Sequence, residues 1–249
     1  MRLSWLLFFL VFVLVSCGGG VTNNPVRTAV ATEGAVSINF DDGFESGFLL
    51  GLPIVEAAGY KTTQFIITKK LDTPGYLSTG QVLAMQNSGH EIGAHTRTHL
   101  HLSTLTPAQQ EDEIVGSVSD LQSLGINPVS FAYPYGDYDD TTLSIVGTAG
   151  FLDARDTKRG FNDSSANYLL LDSYILGPDG DDSLNTITQA IDDAQANNTW
   201  LVLVFHRVDE TGQPTSVTHE LVQGVVSYLV EKNARVVTMQ QGRALYQLK

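Results

Sequence analysis

Ala35-Val36-Ser37-Ile38-Asn39-Phe40-Asp41-Asp42-Gly43 is an apolar run that stops at two adjacent carboxylates and a glycine. Val36, Ile38 and Phe40 alternate with small or polar residues, the period-two pattern of a β-strand. Asp41 and Asp42 therefore fall at the strand's C-terminal end, and Gly43 lets the chain turn away sharply. Adjacent residues at a strand end point to different sides, so two carboxylates there divide the work. One is free to bind a cation while the other faces a reacting water. Taken alone, the stretch reads at least as well as a strand closed by an ordinary Asp-Asp-Gly turn. The segments downstream decide between the two.

Helical and strand patterns alternate beyond it. A helix is expected over residues 48–58 despite Pro53, ended by Gly59, and a β-branched strand over 62–68. Ser78 caps a helix running to about Asn87, and a third strand covers 91–94. Thr106-Pro107-Ala108-Gln109 fits a capping box with proline at the first helical position. Ile114, Val118 and Leu121 mark that helix's buried stripe and Gly125 its end. Further strands are expected near 129–133, 151–155, 168–175, 201–205 and 235–238, and helices near 140–148, 184–196 and 217–232. Repeated βα order implies a parallel sheet, and this many units favours an α/β barrel of about seven to eight strands. Chemistry in such barrels gathers at the C-terminal strand ends.

Three later segments fall on that rim. His95-Thr96-Arg97-Thr98-His99 follows the third strand, and its two imidazoles lie on one face if the segment turns helically. A lone histidine is more often structural, but a pair at this spacing uses two of the chain's six histidines at one strand end. With Asp42, the pair makes a donor set of two nitrogens and one carboxylate, which leaves coordination positions open as catalytic metal sites do. Phe131-Ala132-Tyr133-Pro134-Tyr135-Gly136 follows the fourth strand. Its proline and glycine impose an irregular backbone that frees the Tyr135 N–H for a ligand, although an ordinary turn fits the stretch equally well. Leu203-Val204-Phe205-His206 puts one more titratable group at a strand end, where it is either catalytic or a buried hydrogen-bonding residue. Among the other histidines, His90 precedes a strand and reads as structural, His101 could line the rim, and His219 fits a solvated helix position.

Composition narrows the function classes. The chain has 249 residues, 43% of them hydrophobic and 16% charged, which suits one sizeable globular domain. A net charge of −13 argues against a nucleic-acid partner, because phosphate binding needs a basic surface. Cys17 is the single cysteine, so no internal disulfide forms. The apolar run 5–15 follows Arg2 and is too short to cross a hydrocarbon core of roughly 30 Å, so it fits a signal-peptide core. It ends Leu14-Val15-Ser16-Cys17, which resembles a bacterial lipoprotein box. The expected organisation is a signal peptide over 1–16, a flexible tether over 17–34 that begins at a lipid-modified Cys17, and one domain over 35–249. Localisation is then the cell envelope, lipid-anchored at the outer membrane or another extracytoplasmic face, or secreted if the box is not used.

The order FDDG, HTRTH, a PYG segment and a late strand ending in histidine resembles the polysaccharide deacetylase family, carbohydrate esterase family 4, also called NodB-like. The likeness covers about residues 35–238, and the first two motifs together are highly specific. It implies a distorted (β/α) barrel in which Asp41 is the general base, and Asp42, His95 and His99 bind a divalent metal, zinc or else cobalt or nickel. It also implies that the Tyr135 backbone N–H serves the oxyanion and that His206 is the general acid. Two departures stand out. Family members often carry an arginine two residues before the motif proline to orient the base, and this chain has Ala132 there. The family's fourth motif, an aspartate followed by tryptophan, is only loosely represented by Asp153-Ala154-Arg155-Asp156; Arg155 or Asp156 could take a supporting role, and neither is assigned to catalysis.

The implied reaction is hydrolysis of an acetyl amide or ester, most simply on the N-acetyl groups of a GlcNAc-containing polysaccharide. Two alternatives remain at this level: an O-acetyl esterase on acetylated xylan or a similar glycan, and a carbohydrate-binding lipoprotein without turnover. Intact Asp41 and His206 argue against the last, because a binder needs neither. Tyr133, Tyr138 and Phe161 are candidates for a sugar platform, with packing the simpler role for each. The polysaccharide, the choice of N- or O-acetyl group and the oligomeric state are not written in these motifs.

Overall fold

The computed structural model describes residues 33–177 and 183–247. The expected signal peptide, Cys17 and most of the tether lie outside the described residues. The last two tether positions already pack on the domain. The Tyr246 hydroxyl donates to the Glu33 carbonyl at 3.3 Å, and a Cβ added to Gly34 would lie 2.2 Å from the Ala194 carbonyl oxygen.

The strands are β1 (Ala35–Phe40), β2 (Thr63–Ile66), β3 (Glu91–Ala94), β4 (Ser130–Ala132), β5 (Asp153–Arg155), β6 (Tyr174–Ile175), β7 (Trp200–Phe205), β8 (Arg207–Val208), β9 (Ser216–Val217) and β10 (Arg235–Val236). The α-helices are α1 (Leu52–Ala57), α2 (Thr79–Asn87), α3 (Pro107–Ser123), α4 (Asp140–Thr148), α5 (Leu184–Asn197), α6 (His219–Glu231) and α7 (Met239–Tyr246). The main sheet runs β5, β4, β3, β2, β1, β7, β6, all parallel, with β10 also against β1. The expected α/β barrel is therefore present, and its distortion comes from two seams.

The first seam lies between β1 and β2, which pair only at Asn39–Thr63 and Phe40–Gln64; β10 takes the space below, opposite Ala35 and Val36. The second lies between β5 and β7. A continuous strand was expected over 168–175, but that segment changes partner partway along. Leu171 bridges Arg155 on β5, whereas Tyr174 and Ile175 pair with Leu203 and Val204 on β7. One segment thus closes the barrel without being a regular strand along its whole length. The helix expected over 48–58 also divides. Gly47–Gly51 forms wider π-type turns that run directly into α1, and Pro53, the second residue of α1, falls just where the hydrogen-bonding pattern changes.

Every residue of β1 is buried, so its polar face does not meet solvent. Val36, Ile38 and Phe40 pack outward against α1, α5 and α6. Ile66, Ile92, Ala94 and Phe131 meet α2, α3 and α4 in a second outer core. The opposite face turns inward. Ala35 joins Phe65, Ala132, Trp200, Val202 and Val204 inside the barrel, and Ser37 accepts a hydrogen bond from Trp200 Nε1 at 2.9 Å. Helix α7 covers the lower end. Its Gly242 lies so close to Trp200 that a Cβ would be 2.3 Å from the indole, and Tyr246 stacks on that ring at 6.1 Å. Alternation on β1 therefore carries an inward polar column up to Asp41.

One inward carboxyl near the lower end has a stability consequence. Asp153 is fully buried, and burial together with the nearby Glu91 carboxylate pushes its pKa well above the ordinary value, against the pull of Arg243 and Arg155. A folded-state pKa above the unfolded one gives stability that is complete at low pH and is lost as pH rises through the folded value. Asp153→Asn cannot ionise and escapes that loss. Denaturant midpoints measured from pH 5 to pH 9 should therefore move in favour of Asp153→Asn as pH rises; a constant difference between the two proteins would contradict this.

Candidate active site

The inward positions at the upper strand ends are Asp41 after β1, His95 after β3, Arg155 at the end of β5 and His206 after β7. Asp42 and His99 reach the same place through unusual backbone. Asp42, Thr96, His99 and Tyr135 all have left-handed φ, at 67°, 62°, 66° and 59°, and they make up four of the nine such non-glycine residues among those described. Strain of this kind persists only where surrounding contacts over-determine it, and it gathers at functional sites. Residues 95–99 do not turn helically, the condition under which spacing alone would put the two imidazoles on one face. Two left-handed residues, rather than helical periodicity, bring the two imidazoles together.

Those contacts come largely from α3. Glu113, nearly buried, accepts hydrogen bonds from the backbone N–H groups of Arg97 and Thr98 at 3.0 and 2.8 Å and from the Thr98 hydroxyl at 2.5 Å. Arg97 is held by Asp112 and Asp120, and Gly116 leaves it room, since a Cβ there would lie 2.5 Å from Arg97 Cδ. The Thr96 hydroxyl accepts from the His99 N–H at 3.0 Å. Glu113 was not singled out by the sequence reading, because one glutamate on a long amphipathic helix looks like any solvated charge. Glu113→Ala would leave two amides without their acceptor and release the loop that carries His99. Metal affinity should fall about 10–100-fold, the usual effect of losing an outer-shell support, in competition titrations against a chelator.

The ligand atoms form a tight triangle. Asp42 Oδ1 lies 3.4 Å from His95 Nε2 and 3.3 Å from His99 Nε2, and the two nitrogens are 3.1 Å apart. Zinc bonds of about 2.0–2.1 Å in tetrahedral array put neighbouring donors about 3.3 Å apart. The triangle therefore has the dimensions of one face of such a site. His95 Nδ1 lies 2.8 Å from the Ala132 carbonyl, which holds the ring with Nε2 pointing at the cluster, the usual outer support of a metal-binding imidazole. Asp42 Oδ1 is buried without a hydrogen-bond partner. A lone acceptor between two imidazole nitrogens fits a shared cation, and these three residues form a possible metal-binding triad.

Electrostatics agree with that reading. Burial alone would raise the Asp42 pKa, but the imidazole of His95 beside it, with those of His206 and His99, holds it far below the usual carboxylate range. Burial and the neighbouring His95 push His99 down to about 4, which keeps its ring neutral and its lone pair free. His95 is raised overall: burial opposes its charge, but Asp42 and Asp41 outweigh that. A cation held by Asp42, His95 and His99 would compete with the proton that these carboxylates draw onto His95.

Asp41 stands beside the triangle. Its Oδ2 lies 3.9 Å from His95 Nε2, while its Oδ1 accepts a hydrogen bond from Arg155 Nη2. Both side chains are almost wholly buried. His206 sits on the adjacent strand, where the Asp41 N–H donates to the Phe205 carbonyl at 2.9 Å. Burial lowers the His206 pKa, and Asp41 and Asp42 pull it back upward. The Tyr135 ring is 57% exposed, lies edge-on to His99 at 4.5 Å and stacks on His101 at 4.0 Å. His101 does line the rim.

The remaining candidates resolve differently. His90 is structural: its Nδ1 accepts from the Thr62 N–H at 3.0 Å and its Nε2 lies 3.1 Å from Glu56. His219 is exposed. Tyr133 is buried and donates its hydroxyl to the Leu169 carbonyl, Tyr138 packs on the α2–α4 core, and Phe161 packs on Tyr174. None of the three is exposed as Tyr135 is.

A parallel α/β barrel whose rim holds two histidines and an aspartate, beside a buried carboxylate gripped by arginine, has the parts that metal-assisted hydrolysis uses. The family model described as "Polysaccharide deacetylase" matches residues 29–153, half of the chain, and the chain belongs to that family. It is 31% identical over 121 residues to a putative polysaccharide deacetylase of Bacillus subtilis, YxkH, a match covering 48% of this chain and 43% of that protein. It is 27% identical to the solved Streptococcus pyogenes deacetylase PplD in complex with acetate, with a TM-score of 0.53 over 55% of this chain and 62% of that one. The Xyl-CE4 domain of a multidomain xylanase from the Trinervitermes trinervoides hindgut metagenome shares the fold, with a TM-score of 0.61 at 18% identity over 85% of this chain and 90% of that one. The chain spans less than half the length of the first curated relatives it matches, 43% and 33%.

Proposed function

We propose that the protein is a metal-dependent hydrolase that removes acetyl groups from a polysaccharide, acting on the N-acetyl groups of a GlcNAc-containing polymer. The observation that carries this reading is the Asp42–His95–His99 triangle with Asp41 Oδ2 directed toward it. Curated relatives named as chitin deacetylase and as peptidoglycan-N-acetylglucosamine deacetylase support the substrate class.

Asp42, His95 and His99 would hold the divalent ion, zinc being the one this donor set suits, and the bound ion supplies Lewis acidity and an acidified water. The protein's own groups do the rest. Asp41 takes a proton from the attacking water as its oxygen bonds to the acetyl carbon. The oxyanion that develops on the acetyl oxygen meets the Tyr135 N–H, a backbone donor of the kind that stabilises such charge. His206 gives its proton to the departing nitrogen, the C–N bond breaks, and acetate and the free amine leave. No acyl-enzyme is needed. His206 must be protonated at that moment; burial lowers its pKa overall, and the Asp41 and Asp42 carboxylates only partly offset this.

The reading is tested by acetate release from chitooligosaccharides, peptidoglycan and acetylxylan, with chelator and with zinc restored. Chelator-sensitive release from the first two supports it. Release confined to acetylxylan would make the protein an O-acetyl esterase, and full activity in a verified metal-free preparation would remove the metal from the mechanism.

The acid has its own signature. An amide nitrogen must be protonated before it departs, whereas an activated aryl acetate leaves unaided. His206→Ala should therefore lose about 10²–10⁴-fold on an N-acetyl sugar and much less on an aryl acetate. Equal losses on both substrates, at unchanged metal content, would reassign His206 to orienting the acetyl group or to packing.

A further inference from the structure

We propose that Arg155 is the positioning residue for Asp41, supplied from β5 because β4 presents only a methyl group at Ala132. The inference rests on the deacetylase reading, in which Asp41 is the base. Ala132 and Arg155 are Cα partners in the parallel β4–β5 pair, so both side chains point into the barrel from neighbouring strands. The cation required beside Asp41 has moved across one strand while keeping its level along the barrel.

Everything around Arg155 commits it to this contact. Its side chain is fully buried, and Asp41 is its one salt-bridge partner among the described residues; Nε and Nη1 make no hydrogen bond. The Phe65 ring lies under the guanidinium at 4.7 Å. That ring in turn occupies space open only because residue 93 is glycine, since a Cβ there would come within 2.5 Å of it. The backbone of Arg155 is clamped on both sides. Its carbonyl accepts from the Tyr133 N–H at 3.1 Å, and Leu171 bridges it from the segment that closes the barrel. Base alignment is thereby tied to barrel closure.

The contact also distinguishes the two oxygens of the base. Oδ1 is occupied by Arg155, and Oδ2 is the oxygen that faces the metal triad. Arg155 stops the carboxylate from rotating and leaves Oδ2 as the atom that receives the water's proton. Alignment of this kind affects the chemical step and not substrate binding, so it appears in kcat with little change in KM.

The test compares Arg155→Ala, Arg155→Lys and the exchanged double variant Ala132→Arg/Arg155→Ala with the native metal-loaded protein. Arg155→Ala should keep its metal and its KM and lose about 10²-fold in kcat, within the range expected when general-base catalysis is disabled. Arg155→Lys should recover part of the loss. The exchanged variant should regain about tenfold or more over Arg155→Ala, since a guanidinium from β4 re-enters the same interior. A folded, metal-bound Arg155→Ala with native kcat would overturn the proposal. So would an exchanged variant that folds and binds metal without any gain. A double-mutant cycle between Asp41→Asn and Arg155→Ala on unfolding equilibria needs no turnover. Coupling of about tenfold or more in the folding constant is expected for partners in one ion pair, and strict additivity would count against the pairing. If the native protein releases no acetate, the deacetylase reading fails by itself and the cycle still decides whether Arg155 holds Asp41.

Discussion

Asp41→Asn should reduce acetate release by about 10²–10⁴-fold, the range general acid–base groups supply, while the protein still binds one metal per chain. The substitution is nearly isosteric, Asp42 keeps its place in the triangle, and only the carboxylate proposed as the base is lost. It should also cost stability, because Arg155 is left as a buried guanidinium without its counter-charge. Removing one partner of a buried ion pair costs about 3–5 kcal/mol. The two effects separate experimentally. Metal content and the folded fraction from denaturant titration give the number of competent sites, and turnover per competent site gives the chemistry. Native turnover per folded, metallated site would show that Asp41 is not the base.

His99→Ala should release the metal. Only Asp42 and His95 would remain as protein ligands, and the nitrogen lost lies 3.3 and 3.1 Å from the other two donor atoms. The fall in affinity should exceed the roughly 100-fold upper range of outer-shell losses, and activity should vanish at metal concentrations that saturate the native protein. His101→Ala is the control. It removes the imidazole stacked on Tyr135 at 4.0 Å, which is not one of the three donor groups. Equilibrium dialysis should show His101→Ala retaining its metal and His99→Ala losing it; equal retention would exclude His99 from the site.

The parts of this arrangement that could be read in the sequence are those written in periodicity and capping. Alternation along β1 placed Asp41 and Asp42 at a strand end, and the capping box at Thr106 marked the start of α3. Helix α7 was missed although Thr238 and Gln241 form the same kind of box, because a strand was expected over 235–238 and consumed its cap. The partner switch at Leu171 has no local signal, since a segment's neighbours on either side are set by the closed sheet. The left-handed turn at Thr96 runs against the preference of a β-branched residue and exists only because Glu113, distant in sequence, ties down the loop. Arg155 could not be assigned without knowing which residues of β4 and β5 lie side by side.

The two ends of the described chain share one side of the molecule. It enters β1 at Ala35 and finishes in α7, which covers the barrel's lower mouth, whereas Asp41 and its neighbours stand at the upper one. Six residues of strand at about 3.3 Å each separate these levels by about 20 Å. Attachment of the domain through either end, to a surface or to another domain, would therefore leave the rim that carries Asp41, Asp42, His95 and His99 facing outward. The point of attachment then does not compete for space with whatever approaches that rim.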